Sequence, residues 1–181
     1  MRTARFVLTV AAIALLALAG LAWLPHGPSS EARALDREPA SIVFVCRNGV
    51  AMSVWSALTF DRLAAEHGLP VRAISRASMS TYTEIPLRMR LALALDGLRA
   101  GILRPQVISA ADVRGAERVI LIDTDLPSSA SAPGASIERW DGFPPMREEY
   151  FASRAALRSR VEELVARLAA SPERAAAVGG R

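Results

Sequence analysis

The chain contains no lysine; all 22 of its basic residues are arginine. It has one cysteine and two histidines among 181 residues. These scarcities exclude whole classes of chemistry. A single cysteine permits no internal disulfide and no relay between two thiols of the same chain. His26 and His67 are far apart, and with one cysteine they indicate no metal site; no cofactor is implied either. The arginines are scattered among 18 acidic residues, for a net charge of +4. There is no basic run and no aromatic interleaving, so no nucleic-acid partner is indicated.

Charge is missing altogether from residues 6–24, which read FVLTVAAIALLALAGLAWL. Arg2 and Arg5 precede this run, and no acidic residue appears before Glu31. At about 1.5 Å per helical residue the run could just span a bilayer. The layout predicts a signal peptide or signal anchor over residues 1–24, with Ala17-Leu18-Ala19 as a small-residue cleavage site. The remainder is then exported: periplasmic or otherwise extracytoplasmic, secreted or held at the membrane by one N-terminal transmembrane helix. No cysteine directly follows the run, so lipidation is not indicated. Residues 25–40, polar and with three prolines, read as a linker.

From Ser41 strand and helix patterns alternate. Ser41–Cys46 is a continuous apolar strand of the kind buried on both faces. Ser53–His67 reads as a helix with Ala57, Phe60, Leu63 and Ala64 on one side, stopping at Gly68. Val71–Ser75 is a second short strand. Pro86 opens a helix whose core stripe is expected to be Leu87, Leu91, Ala94, Leu95 and Leu98. Arg118–Asp123 is another strand, residues 124–136 a loop, and the last helix carries Leu157, Val161, Leu164, Val165 and Leu168. Residues 171–181 read as a disordered tail. The pattern implies an α/β fold, a three-layer doubly wound parallel sheet of about four strands spanning residues 41–170. In such sheets ligands bind outside the carboxyl ends of the strands, where Cys46 and Asp123 fall.

Cys46 ends the first strand, the loop Arg47–Met52 follows, and Ser53 stands as the expected helix cap. Helix N-termini offer unpaired N–H groups and a partial positive charge, which favour a bound oxyanion and a thiolate. Cys46 is therefore the candidate nucleophile, and Arg47, Asn48, Gly49, Val50, Ala51 and Met52 the candidate phosphate-binding loop.

This unit resembles the low-molecular-weight protein-tyrosine phosphatases and the arsenate reductases that share their fold. The family pattern is Cys, any residue, Gly, Asn, two residues, Arg, Ser. Cys46 matches the nucleophile and Ser53 the serine that hydrogen-bonds it. The Gly-Asn pair is present in reversed order as Asn48-Gly49, and Met52 replaces the arginine. Near the C-terminus those families carry a tryptophan and an Asp-Pro pair whose aspartate protonates the leaving group. Here Trp140 is followed by Asp-Gly-Phe-Pro-Pro: Pro144 occupies the acid position, Pro145 matches the proline, and Asp141 lies three places early. The resemblance implies hydrolysis of phosphate monoesters through a cysteinyl-phosphate, with phosphate or a similar oxyanion, or a phosphoprotein, as partner. Loss of the arginine fork would cost on the order of 10²–10⁴ in rate, and loss of the acid about as much again. Arg47 or Arg76 is a candidate replacement for the cation, and Asp141, Asp123 or Asp125 for the acid. A non-catalytic anion or partner binder is the alternative, as is an arsenate reductase drawing on an external thiol.

The loop also resembles the phosphocysteine loop of sugar phosphotransferase B components, which hold phosphate with backbone amides and no arginine. Asp123-Thr124-Asp125 at a strand end resembles haloacid-dehalogenase phosphatases, but their basic residue is usually a lysine, which is lacking here; loop capping is the simpler reading. Tyr82 and Tyr150 flank regions that border the pocket in the phosphatase family and read as structural.

Overall fold

A computed structural model describes residues 42–101 and 103–171. The leader and linker readings over residues 1–40, and the tail beyond Ser171, lie outside them. Nine elements follow one another in this span. They are β1 Ile42–Cys46, α1 Met52–Glu66, β2 Ala73–Ala77, α2 Leu87–Leu95, α3 Ala110–Gly115, β3 Arg118–Ile122, a 3-10 turn Ser128–Ala130, β4 Ile137–Trp140 and α4 Tyr150–Ala169. Among the described residues no helix is long and apolar enough to cross a membrane.

The four strands form one parallel sheet in the order β2-β1-β3-β4. β1 sits inside it and is buried on both faces, as its unbroken run of apolar residues requires. Alternation along the strands then sorts the core into two layers. Ile42, Phe44, Cys46, Ile120 and Ile122 face α1, α2 and α4. Val43, Val45, Ile74, Val119 and Leu121 face the opposite side, with Val113 of α3 and Ala130 of the 3-10 turn. This is the three-layer doubly wound architecture.

β2 begins at Ala73 and runs to Ala77, two residues later than the sequence reading. The Ala73 amide donates to the Asp61 carboxylate of α1 at 2.7 Å, which pins the strand's start. α3 escaped the sequence reading altogether, although it opens with a capping box: Ser109 accepts from the Asp112 amide, and Asp112 accepts from the Ser109 amide. The largest correction concerns α2. Leu87, Leu91 and Leu95, expected in the core, are 62, 60 and 78% exposed, while Met89 and Leu93 are buried. Spacing alone could not choose between the two faces, because both carry apolar residues. The α4 stripe of Leu157, Val161, Leu164, Val165 and Leu168 is buried as expected.

The connections decide where a ligand can sit. From β1 the chain crosses to β2 on one side, then returns past β1 to β3 on the other. The crevice at that switch lies above the carboxyl end of β1, at Cys46.

Candidate functional site

Cys46 closes β1 level with Ala77 and Ile122 of the neighbouring strands. The loop beyond it is fastened to the continuation of β2: Ser78 donates its amide to the Cys46 carbonyl at 3.0 Å, and Met79 to the Arg47 carbonyl at 2.9 Å. Gly49 is required at the tightest point. Its φ is +64°, and a Cβ there would lie 3.0 Å from the Cβ of Ala77 and 3.1 Å from its backbone nitrogen.

α1 starts at Met52, one residue before the expected helix start, and its N-cap is Ala51, which has no side-chain capping bond. Ser53 is therefore not a cap. It lies inside the first turn, fully buried, with its Oγ 3.1 Å from Cys46 Sγ. Ser75 Oγ donates to Ser53 Oγ at 2.9 Å. A hydroxyl carries one proton, so Ser53, already accepting from Ser75, has its own proton free for the sulfur. Among the described residues the amides of Asn48, Gly49, Val50 and Ala51 donate to no backbone carbonyl. An uncapped helix end behind a loop of unpaired amides is the arrangement that binds an anion.

Above this floor opens a cavity of about 340 Å³, lined by Cys46 and the loop residues Arg47, Asn48, Val50, Ala51 and Met52. Its walls come from Tyr82, from Pro86, Arg88, Met89 and Ala92 along α2, and from Pro145, Met146, Arg147 and Tyr150. Gly49 shapes the loop from beneath. No carboxylate lines the cavity among the described residues. Arg47, Arg88 and Arg147 are its cations. Arg147 pairs with the adjacent Glu148 at 3.6 Å at the surface.

The carboxylates considered as acids are engaged elsewhere. Asp141 is exposed and bound to Arg139 at 3.2 Å, and Arg139 also holds Asp125 at 2.8 Å. Asp123 adopts φ +46° and accepts the amides of Gly142 at 2.6 Å and Phe143 at 3.1 Å. It thereby staples the segment that carries Pro145, Met146 and Arg147 into the cavity wall. Arg76 is excluded as a replacement cation. Paired in register with Val45, it faces the side of the sheet opposite Cys46 and is buried against Asp112 at 2.9 Å.

Tyr150 fixes the remaining wall. Its Oη lies 2.8 Å from both the Ala92 carbonyl and Asp96 Oδ2. Asp96 also accepts from Trp55 Nε1 at 2.7 Å and pairs with Arg154 at 2.8 Å. Burial, then the hydrogen bond to Asp96, push the Tyr150 hydroxyl far above the ordinary tyrosine range. It keeps its proton and serves as a tie between α2 and α4.

Comparison with known structures concerns the fold as a whole. The fold is that of the low-molecular-weight phosphatases and arsenate reductases. The chain is similar to a low-molecular-weight protein tyrosine phosphatase from Streptococcus pyogenes (TM-score 0.60, 16% identity, 75% of this chain and 96% of that one). It is similar to YfkJ from Bacillus subtilis (TM-score 0.61, 18% identity, 74% and 96%). An arsenate reductase from Archaeoglobus fulgidus is also similar (TM-score 0.55, 21% identity, 69% and 98%). No family model and no curated protein sequence matches the chain.

Within this phosphatase fold the cavity has residues that sequence reasoning missed. Arg88, Met89, Met146 and Arg147 carried no signal of their own, because they reach the site from two segments that only packing brings to Cys46. Met52, where the related pattern has arginine, lines the cavity at the head of α1.

Proposed function

We propose that this domain binds phosphate or a similar oxyanion against Cys46 and transfers a phosphoryl group to it from phosphate monoesters with good leaving groups. The observation that carries the reading is the chain of hydroxyls from Ser75 through Ser53 to the Cys46 sulfur, beneath a loop of unpaired amides. The Ser53 proton stabilises the thiolate, and the loop amides with the α1 N-terminus hold the phosphoryl oxygens. The sulfur attacks phosphorus, the S–P bond forms as the P–O bond breaks, and the leaving group departs as an anion. Water then hydrolyses the cysteinyl-phosphate, releasing phosphate and restoring the thiolate. Because no carboxylate among the described residues lines the cavity, no carboxylic acid there protonates an alkoxide. Turnover is therefore confined to stable leaving groups such as nitrophenolate.

A second reading, an anion- or phosphoprotein-binding domain without turnover, is favoured by the lack of a carboxylate in the cavity among the described residues, together with Met52 at the arginine position. Reduction of arsenate would need an external low-molecular-weight thiol, since Cys46 is the only cysteine.

Alkylation of Cys46 by iodoacetamide, with and without phosphate or arsenate, tests the site. Both anions are expected to protect the thiol. Nitrophenyl phosphate should then be hydrolysed slowly, without magnesium, and not by Cys46→Ser. Protection without any hydrolysis would establish the second reading, and a thiol indifferent to both anions would refute the oxyanion site.

A further inference from the structure

We propose that the outer face of α2, together with the first turn of α4, seats on an anionic lipid bilayer. Leu87, Leu91 and Leu95 recur every fourth residue and form one exposed stripe along α2. Phe151, 69% exposed, stands edge-on against Tyr150, whose hydroxyl donates to the Ala92 carbonyl of α2. Isolated exposed leucines are ordinary, but four large apolar side chains on two linked helix segments mark an interaction surface.

Charge selects the occupant. α2 carries Arg88 and Arg90 and no acidic residue, and Arg99 and Arg104 follow it; Glu84 precedes the helix, and Glu148 and Glu149 lie just before Phe151, Glu148 paired with Arg147. Asp96, at its end, is buried and engaged by Arg154. An apolar stripe flanked by arginines is the pattern of a helix lying on an anionic membrane. The uncharged run at residues 6–24 ends 17 residues before β1 begins at Ile42. Fully extended, such a tether spans roughly 56–61 Å, more than the roughly 30–40 Å width of a domain this size. With the run in a bilayer, any face of the domain could touch the lipid, at high effective concentration. The leucine stripe and its arginines determine which face does. α2 also walls the Cys46 cavity, so the docked domain holds that cavity beside the lipid surface, whether or not it turns over.

The test uses the full chain with Cys46→Ser and one new cysteine, Leu91→Cys or Leu95→Cys, carrying an environment-sensitive nitrobenzoxadiazole label. Ser131→Cys, exposed between Ala130 and Ala132, which pack on the other face of the sheet, is the reference. In vesicles of phosphatidylcholine with phosphatidylglycerol, the label at 91 or 95 should brighten about threefold and resist a soluble quencher, and the label at 131 should not. Pure phosphatidylcholine, or about 0.5 M salt, should weaken the effect. If the labels at 91 and 95 stay as water-accessible as the one at 131, or the chain ignores the vesicles, the proposal fails. It also fails if the change occurs in detergent without lipid and grows with protein concentration, which would assign the face to a second copy.

Discussion

The Ser53 hydroxyl lies 3.1 Å from the Cys46 sulfur, seven residues away in sequence and buried with it at the head of α1. Because Ser53 accepts from Ser75, its proton is free to be shared with the sulfur. Ser53→Ala should slow alkylation of Cys46 at neutral pH by about tenfold, because the sulfur loses its buried hydrogen-bond partner. Ser75→Ala should act in the same direction but less. Iodoacetamide rates beside thermal unfolding curves check this, and equal rates in all three proteins would remove Ser53 from the thiol's chemistry.

Gly49 and Gly68 both have positive φ, near +65°, but they differ in surroundings. A Cβ at Gly68 meets nothing within 4 Å, whereas at Gly49 it meets Ala77. Gly68→Ala should cost about 1 kcal/mol, the left-handed conformation alone. Gly49→Ala should cost about 2–4 kcal/mol and distort the anion loop as well. Chemical denaturation of the two variants tests the difference; equal losses would show that Ala77 moves aside freely.

Arg76 and Asp112 form an ion pair with both side chains almost fully buried. Burial alone would raise the Asp112 carboxyl, but hydrogen bonds from Arg76 and Ser109 outweigh it and hold the group below its ordinary value of 3.8. A carboxyl depressed by folding contributes stability that is present above its unfolded value and lost as pH falls through its folded one. Stability should therefore hold from neutral pH down to about 4 and drop below that. Asp112→Asn should lose about 3 kcal/mol at pH 7, because Arg76 is left buried without its counter-charge, and its profile should be flatter below pH 4. Denaturation midpoints between pH 3 and 7 read this, and parallel profiles for the two proteins would contradict it.

Met52→Arg restores a cation at the first residue of α1, on the cavity lining. It should strengthen phosphate protection of Cys46 about tenfold or more, by adding charge-assisted hydrogen bonds. Nitrophenyl phosphate turnover should rise by an order of magnitude or more if transition-state charge is what the cavity lacks. Asp141→Asn should change neither, since Asp141 is held outside the cavity by Arg139. Anion titrations and initial rates for both variants decide the matter.

Local pattern made much of this legible. The apolar run Ile42–Cys46 fits only a strand covered on both faces, and the α4 stripe fits only one buried side. Cys46, the glycine in the loop and a serine seven residues on were likewise readable, since that spacing is set by one short loop and a helix start. The face of α2 was not readable. Leu87, Leu91 and Leu95 and the pair Met89 and Leu93 are equally apolar, and which of them is buried depends on how Tyr150 and Asp96 draw the helix against α1 and α4.

The sequence by itself therefore determined the main alternation of elements, though not α3 or β4, together with the parallel sheet and the cysteine at its carboxyl edge, because these follow from residue periodicity and loop length. Only tertiary structure decided the partners of the candidate charges. Arg76 went to the far face through the two-residue alternation of its strand, Asp123 to a loop staple, and Asp141 to Arg139. Arg47 reaches the cavity from the loop beside Cys46, as the sequence suggested, but Arg88 and Arg147, which join it there, come from segments nearly 60 residues apart, and no local pattern encodes a meeting that packing alone creates.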